Sequence, residues 1–192
     1  MISNFIYASF SDPSLEPAAV LLHIFSMYLI TIALAILLLF NLTLYNTENS
    51  FTKTRNQILF LFLYSIISLL MFFIPNGIKI NISSDGIQSY PVWSFTFFLF
   101  YLIIFIPLMI YSLNISLKIY KKFKSKRLAK RMRLFILGKL CFYYIGIMVC
   151  FTNFLNYDLL RIIFTLTGFV AIIGVFLIYF SVGKSLNQPY QL

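Results

Sequence analysis

Long apolar runs alternate with short polar stretches along the chain, and five of the runs stand out: about 18–44, 57–74, 93–113, 134–155 and 159–180. Wound as a helix rising about 1.5 Å per residue, each is of the length needed to cross roughly 30 Å of hydrocarbon. An open strand in lipid leaves its amide and carbonyl groups unpaired, so each run predicts a helix. Pro75-Asn76-Gly77 stops the second run, as a proline followed by turn residues does. Pro107 falls inside the third, where it removes an amide donor and predicts a kink. One connection has a different period. Ile78, Ile80 and Ile82 alternate with Lys79 and Asn81, Ser84-Asp85-Gly86 follows, and then Ile87-Gln88-Ser89-Tyr90; that is the pattern of a short β-hairpin. Together these features predict an all-α integral membrane protein: one membrane domain over 1–192, a five-transmembrane-helix bundle with a hairpin between helices two and three.

Composition agrees with a lipid-solvated chain. Charged residues are 10% of the total and hydrophobic ones 61%, against about 25% charged in soluble proteins. The formal net charge is nevertheless +10. Nine of the 15 Lys and Arg lie in residues 116–135: Lys118, Lys121, Lys122, Lys124, Lys126, Arg127, Lys130, Arg131 and Arg133. Cytoplasmic connections are enriched in Lys and Arg. With five spans, this basic connection shares a side with Lys53, Arg55, Lys139 and Lys184, and only Lys79 and Arg161 fall opposite. The N-terminus is therefore expected outside, the C-terminus inside and the hairpin on the outer face of a cell (plasma) membrane. The acids run the same way, with Asp12, Glu16, Asp85 and Asp158 outside and Glu48 inside. No Lys or Arg precedes Lys53, so no cleavable signal peptide is expected. Beyond orienting the chain, the nine cations are candidates for docking anionic lipids or a protein partner. Nucleic-acid binding is not expected. Asn81-Ile82-Ser83 fits the N-glycosylation pattern on the expected outer side.

Candidate chemistry is sparse. Cys141 and Cys150 are nine residues apart in one run, about 180° around a helix and roughly 13 Å along it, too far to bond each other. There is no nucleophile elbow, Walker loop or H-E-x-x-H, so neither an enzyme nor a cofactor or metal site is expected. Lys139, one turn inside the fourth run, is expected to snorkel to the inner face, and Arg161 to pair with Asp158 three residues before it. His23, Trp93, Tyr157, Asp158 and Arg161 gather near the outer edge as a candidate ligand site. Thr167, Ala171, Gly174 and Ser181 fall within about 80° on one helix face, a small-residue stripe suited to close helix packing, either within the chain or across a homodimer.

From Trp93 to Lys184 the sequence has an aromatic-led helix, a Lys/Arg-rich inner stretch ending KRMRLFILGKL, two more helices and a tail beginning FSVGKSL. With Arg131, Arg133 and Gly138 in that pattern, it resembles the multi-pass N-terminal sensor regions of prokaryotic membrane histidine kinases of the seven-helix type. The resemblance implies a stand-alone sensory or signalling module that acts through a partner. The alternative is a non-catalytic structural or accessory subunit of a membrane complex. A transporter or channel is less favoured, because no acid lies at mid-membrane.

Overall fold

Residues 16–45, 53–82 and 89–182 are described in the computed structural model. Helix α1 spans Glu16–Tyr45 and α2 spans Thr54–Leu69, tightening into a 3-10 turn over Leu70–Phe73. Strands β1 (Ile78–Ile82) and β2 (Ser89–Trp93) follow, then α3 (Phe95–Lys122), α4 (Lys126–Leu155), α5 (Asp158–Thr167) and α6 (Val170–Val182). Among the described residues, five helical segments are long and apolar enough to cross a membrane: Glu16–Tyr45, Thr54–Phe73, Phe95–Lys122, Lys126–Leu155 and Asp158–Val182. The turn expected at Ser84-Asp85-Gly86 lies outside the described residues, as do Asp12, Glu48, Ser83 and Lys184.

Local chemistry sets the boundaries. Ser94 caps α3, its Oγ accepting from the Phe97 amide at 3.2 Å, the ordinary role of a serine at that position. That cap takes Trp93, expected at the start of the third helix, out of it and onto β2. Asn156 ends α4 with φ 52°, and Asn76 takes the same angle after the 3-10 turn; asparagine reaches this left-handed region more easily than other residues with a Cβ. The strands pair antiparallel, with Ile78 opposite Trp93 and Ile80 opposite Pro91. Ile78 and Trp93 are both buried.

Two expectations are corrected. The fifth helix is not continuous over 159–180 but breaks between α5 and α6 at Gly168-Phe169. Thr165 and Thr167 donate their hydroxyls back to the carbonyls of Arg161 and Ile163, which bends a helix, and Gly168 is a poor helix former just beyond them. The basic stretch is likewise no loop. Helices α3 and α4 run on through it and leave only Phe123, Lys124 and Ser125 as the connection. Lys and Arg are good helix formers, and Ile115, Ile119, Met132 and Phe135 are buried along this part of the two helices.

The core is built from α1, α3 and α4: Met27, Leu34 and Leu38 from the first, Phe97, Tyr101 and Phe105 from the second, Phe135, Tyr143 and Cys150 from the third. Helix α2 lies against α1, where the Tyr28 and Ser65 hydroxyls bond each other, and α6 lies against α4. Pro107 sits inside α3, which continues through it to Lys122.

Candidate functional site

The most unusual group in the bundle is Lys139. The fourth apolar run begins at about residue 134, so on α4 the Lys139 stem starts roughly 8 Å inside it at 1.5 Å per residue. The side chain is fully buried. Its ammonium donates to Ser112 Oγ at 2.6 Å, Ser116 Oγ at 2.8 Å and the Ser112 carbonyl at 3.1 Å. Three N–H groups therefore meet three oxygens. Phe135 and Tyr143, one turn to either side, place their ring centroids 5.4 and 5.9 Å from Nζ. Ser112 and Ser116 are four residues apart, so they share one face of α3, and Ser116 Oγ donates to the Ser112 carbonyl at 2.9 Å. From α1, Asn41 Nδ2 donates to Ser112 Oγ at 3.0 Å. Its Oδ1 is buried and makes no hydrogen bond.

This polar cluster ties α1, α3 and α4 together through Ser112. It overturns the expectation that Lys139 snorkels. The reason is proximity: the serine oxygens on α3 lie within hydrogen-bond reach, so the stem has no need to extend toward the surface. The sequence does carry traces of the cluster, since Asn41, Ser112, Ser116 and Lys139 are polar residues at the same end of three apolar runs. Nothing in one sequence says that they face each other. Chemically the cluster is a buried Lys amine held by neutral oxygens, with no carboxylate among its contacts to the described residues. In a helix long and apolar enough to cross a membrane, such a group is a candidate for function.

At the opposite, hairpin end, the five residues expected to form one site fall into separate groups. Trp93 Nε1 donates to His23 Nε2 at 3.0 Å, both residues buried, and the indole stands edge-on to Phe97 and Tyr101 at 4.9 and 5.2 Å between centroids. This pair joins α1 to the hairpin. Arg161, on α5, lays its guanidinium over the Tyr90 ring at 3.7 Å and donates from Nη2 to Asn156 Oδ1 at 2.7 Å. Asp158 acts on Arg161 through its charge, as the spacing predicts, while the direct contacts to the guanidinium come from Tyr90 on β2 and the left-handed Asn156. Tyr157 and Asp158 are exposed. In the interior, the hydroxyls of Tyr64, Ser68 and Tyr101 are buried and make no hydrogen bond.

The small-residue stripe faces α4 within the chain. A Cβ added at Gly174 would lie 2.9 Å from Cys141 Cβ and 3.1 Å from the Gly138 carbonyl, and one added at Gly138 would lie 2.9 Å from the Gly174 carbonyl. The two glycines let the backbones touch. Tyr144 donates to Thr167 Oγ1 at 2.8 Å, Ser181 is buried and Ala171 half-buried.

The nine cations of residues 116–135 decorate the outside of the α3–α4 hairpin. Lys118, Lys121, Lys122, Lys124, Lys126, Arg127, Lys130 and Arg133 are exposed, and Arg131 is half-buried. Lys122 Nζ sits 4.0 Å from the centre of the Tyr45 ring at the end of α1, and Arg133 lies over Tyr120 at 5.6 Å. Among the described residues no group of three or more His, Cys, Asp or Glu is placed to hold a metal ion. Comparison of the chain with protein-family models, with curated proteins and with solved structures finds no match.

Proposed function

We propose that this is a five-span integral membrane protein of the cell membrane, hairpin end outside and basic end inside. In this reading it is a small sensory or signalling module that works through a partner and carries out no reaction of its own. The orientation rests on the one-sided distribution of Lys and Arg. The observation that carries the signalling role is continuity. Helix α3 starts two residues after Trp93, which is bound by His23, and ends at Lys122; α4 starts at Lys126 and ends beside Asn156, which holds Arg161. The two ends of the molecule are thus the two ends of the same two helices. A helix shifts as a unit in such transitions, so displacement at the hairpin end is delivered to the basic tip. The Lys139 cluster, where α1 also joins, is the point against which α3 and α4 would pivot.

Electron–electron resonance distances test this coupling. Spin labels at Lys53→Cys and Ser125→Cys, on a background lacking Cys141 and Cys150, report the geometry of the basic end in nanodiscs. Arg161→Gln breaks the contact with Tyr90 at the other end and stands in for a stimulus. A shifted or broadened distance distribution at the basic end is expected, and an unchanged one contradicts the signalling reading. A structural or accessory role is the second reading. It draws on α2, whose apolar residues Ile58, Phe62 and Leu63 are all more than half exposed and free to meet a partner helix or lipid.

A further inference from the structure

Resting on the inside position proposed above for the basic end, we propose that the tip of the α3–α4 hairpin docks an acidic, amphipathic segment of a soluble protein. The nine cations divide into two tiers. Measured along the helices at about 1.5 Å per residue from the ends of the apolar runs near Leu113 and Leu134, Lys118, Lys130, Arg131 and Arg133 lie within roughly 8 Å. Lys121, Lys122, Lys126 and Arg127 lie about 10–14 Å out on the same measure, and Lys124 sits in the connection between the helices. The headgroup layer on each side of the hydrocarbon is only about 5–8 Å thick. By backbone position the base tier lies at the depth of lipid phosphates and the tip tier beyond it. Lipid attraction accounts fully for the first tier and less well for the second, whose stems would have to turn back toward the membrane.

Two further observations favour a protein as the occupant of the tip. Leu128 is 45% exposed in the midst of the tip cations, roughly 9 Å beyond the apolar run, where no hydrocarbon reaches it. An exposed apolar side chain flanked in sequence by Lys126, Arg127 and Lys130 is matched by a segment that carries both acids and an apolar residue. The array is also held rigid: the buried seam of Ile119 and Met132 fixes the two helices against each other, and Lys122 is seated over Tyr45. A preformed array loses less freedom on binding than a flexible loop does. Glu16 and Asp158, the acids among the described residues, both lie at the other end of the bundle.

The test uses the whole protein in phosphatidylcholine nanodiscs and a fluorescent synthetic helical peptide with Glu on one face and Leu on the other. Anisotropy measures peptide binding. Native mass spectrometry, on protein extracted from membranes containing phosphatidylserine, measures lipid retention. A tip variant (Lys121→Gln, Lys124→Gln, Lys126→Gln) should weaken peptide binding about tenfold, the combined effect of three exposed charge contacts, and keep its phosphatidylserine. Leu128→Ala should weaken peptide binding with every charge in place. A base variant (Lys118→Gln, Lys130→Gln, Arg133→Gln) should lose phosphatidylserine and keep the peptide. Loss of phosphatidylserine by the tip variant with peptide binding intact would make the tip a lipid surface. Equal loss of peptide binding by the tip and base variants would make the attraction unspecific charge. Either result overturns the docking surface. Both faces of a nanodisc are open to the peptide, so such a failure leaves the membrane orientation standing, to be decided by labelling in cells.

Discussion

Replacing Lys139 by Met should change stability little, whereas replacing Ser112 by Ala should lower it substantially. In the intact protein a fully buried ammonium directs its N–H groups at Ser112 Oγ, the Ser112 carbonyl and Ser116 Oγ. Removing such a charge from water costs several kcal/mol. Each hydrogen bond to it recovers about 1.5–3 kcal/mol, so three of them roughly offset the cost. Lys139→Met discards both sides of that comparison and keeps a straight stem between the rings of Phe135 and Tyr143. It also strands no donor on the partners, because Ser116 Oγ still has the Ser112 carbonyl and Asn41 Nδ2 still has Ser112 Oγ. The expected change is within about 1 kcal/mol in either direction. Ser112→Ala takes the shortest of the three acceptors from a charge that stays buried and the better of two acceptors from Asn41, for a loss of about 2–4 kcal/mol. With Lys139→Met already present the same change should cost only about 1 kcal/mol, a coupling of at least 1 kcal/mol. Unfolding of the two single variants and the double variant in mixed detergent micelles, followed by circular dichroism, completes the cycle. Equal destabilisation by Lys139→Met and Ser112→Ala, or strict additivity, would refute the reasoning.

Other changes follow from the packing. Gly174→Leu should lower the unfolding midpoint in detergent by the equivalent of about 1–3 kcal/mol, because its Cβ would press on Cys141 and the Gly138 carbonyl; Phe176→Leu, at an exposed position of the same helix, should stay within about 0.5 kcal/mol. Trp93→Phe keeps a ring against Phe97 and Tyr101 but removes the donor to His23 Nε2, and should cost about 1–3 kcal/mol, read as a lower midpoint with unchanged helical content. A neutral Trp93→Phe would mean that the His23–Trp93 bond contributes nothing.

The parts of this fold that were legible in the sequence are those written in local pattern. Hydropathy marks the five helical segments because lipid demands some 20 apolar residues in a row, and the alternation of Ile78, Ile80 and Ile82 marks β1 because successive strand residues face opposite ways. The parts that were not legible depend on partners far away in the chain. Whether Lys139 reaches water or folds inward is decided by Ser112, 27 residues earlier on another helix. Arg161 keeps the charge of its neighbour Asp158 close by but makes its ring contact with Tyr90, which arrives from the hairpin. The basic stretch looks like a loop because charge breaks the hydropathy signal, yet charge does not break a helix; the buried Ile119 and Met132 keep it wound. Gly168 and the two threonines before it hold enough information to place the break between α5 and α6, but in an apolar run a lone glycine is tolerated more often than not.

The proposed signalling role requires the hairpin end outside and the basic end inside, and impermeant thiol labelling in intact cells measures that orientation directly. Asn81 on β1 and Ser125 in the α3–α4 connection are both exposed, at opposite ends of the bundle. On a background with Cys141 and Cys150 replaced by Ala, Asn81→Cys should label in intact cells, and Ser125→Cys should label only after the membrane is opened. Labelling of Ser125→Cys from outside, or of both positions from the same side, would contradict a five-span bundle with its basic end inside.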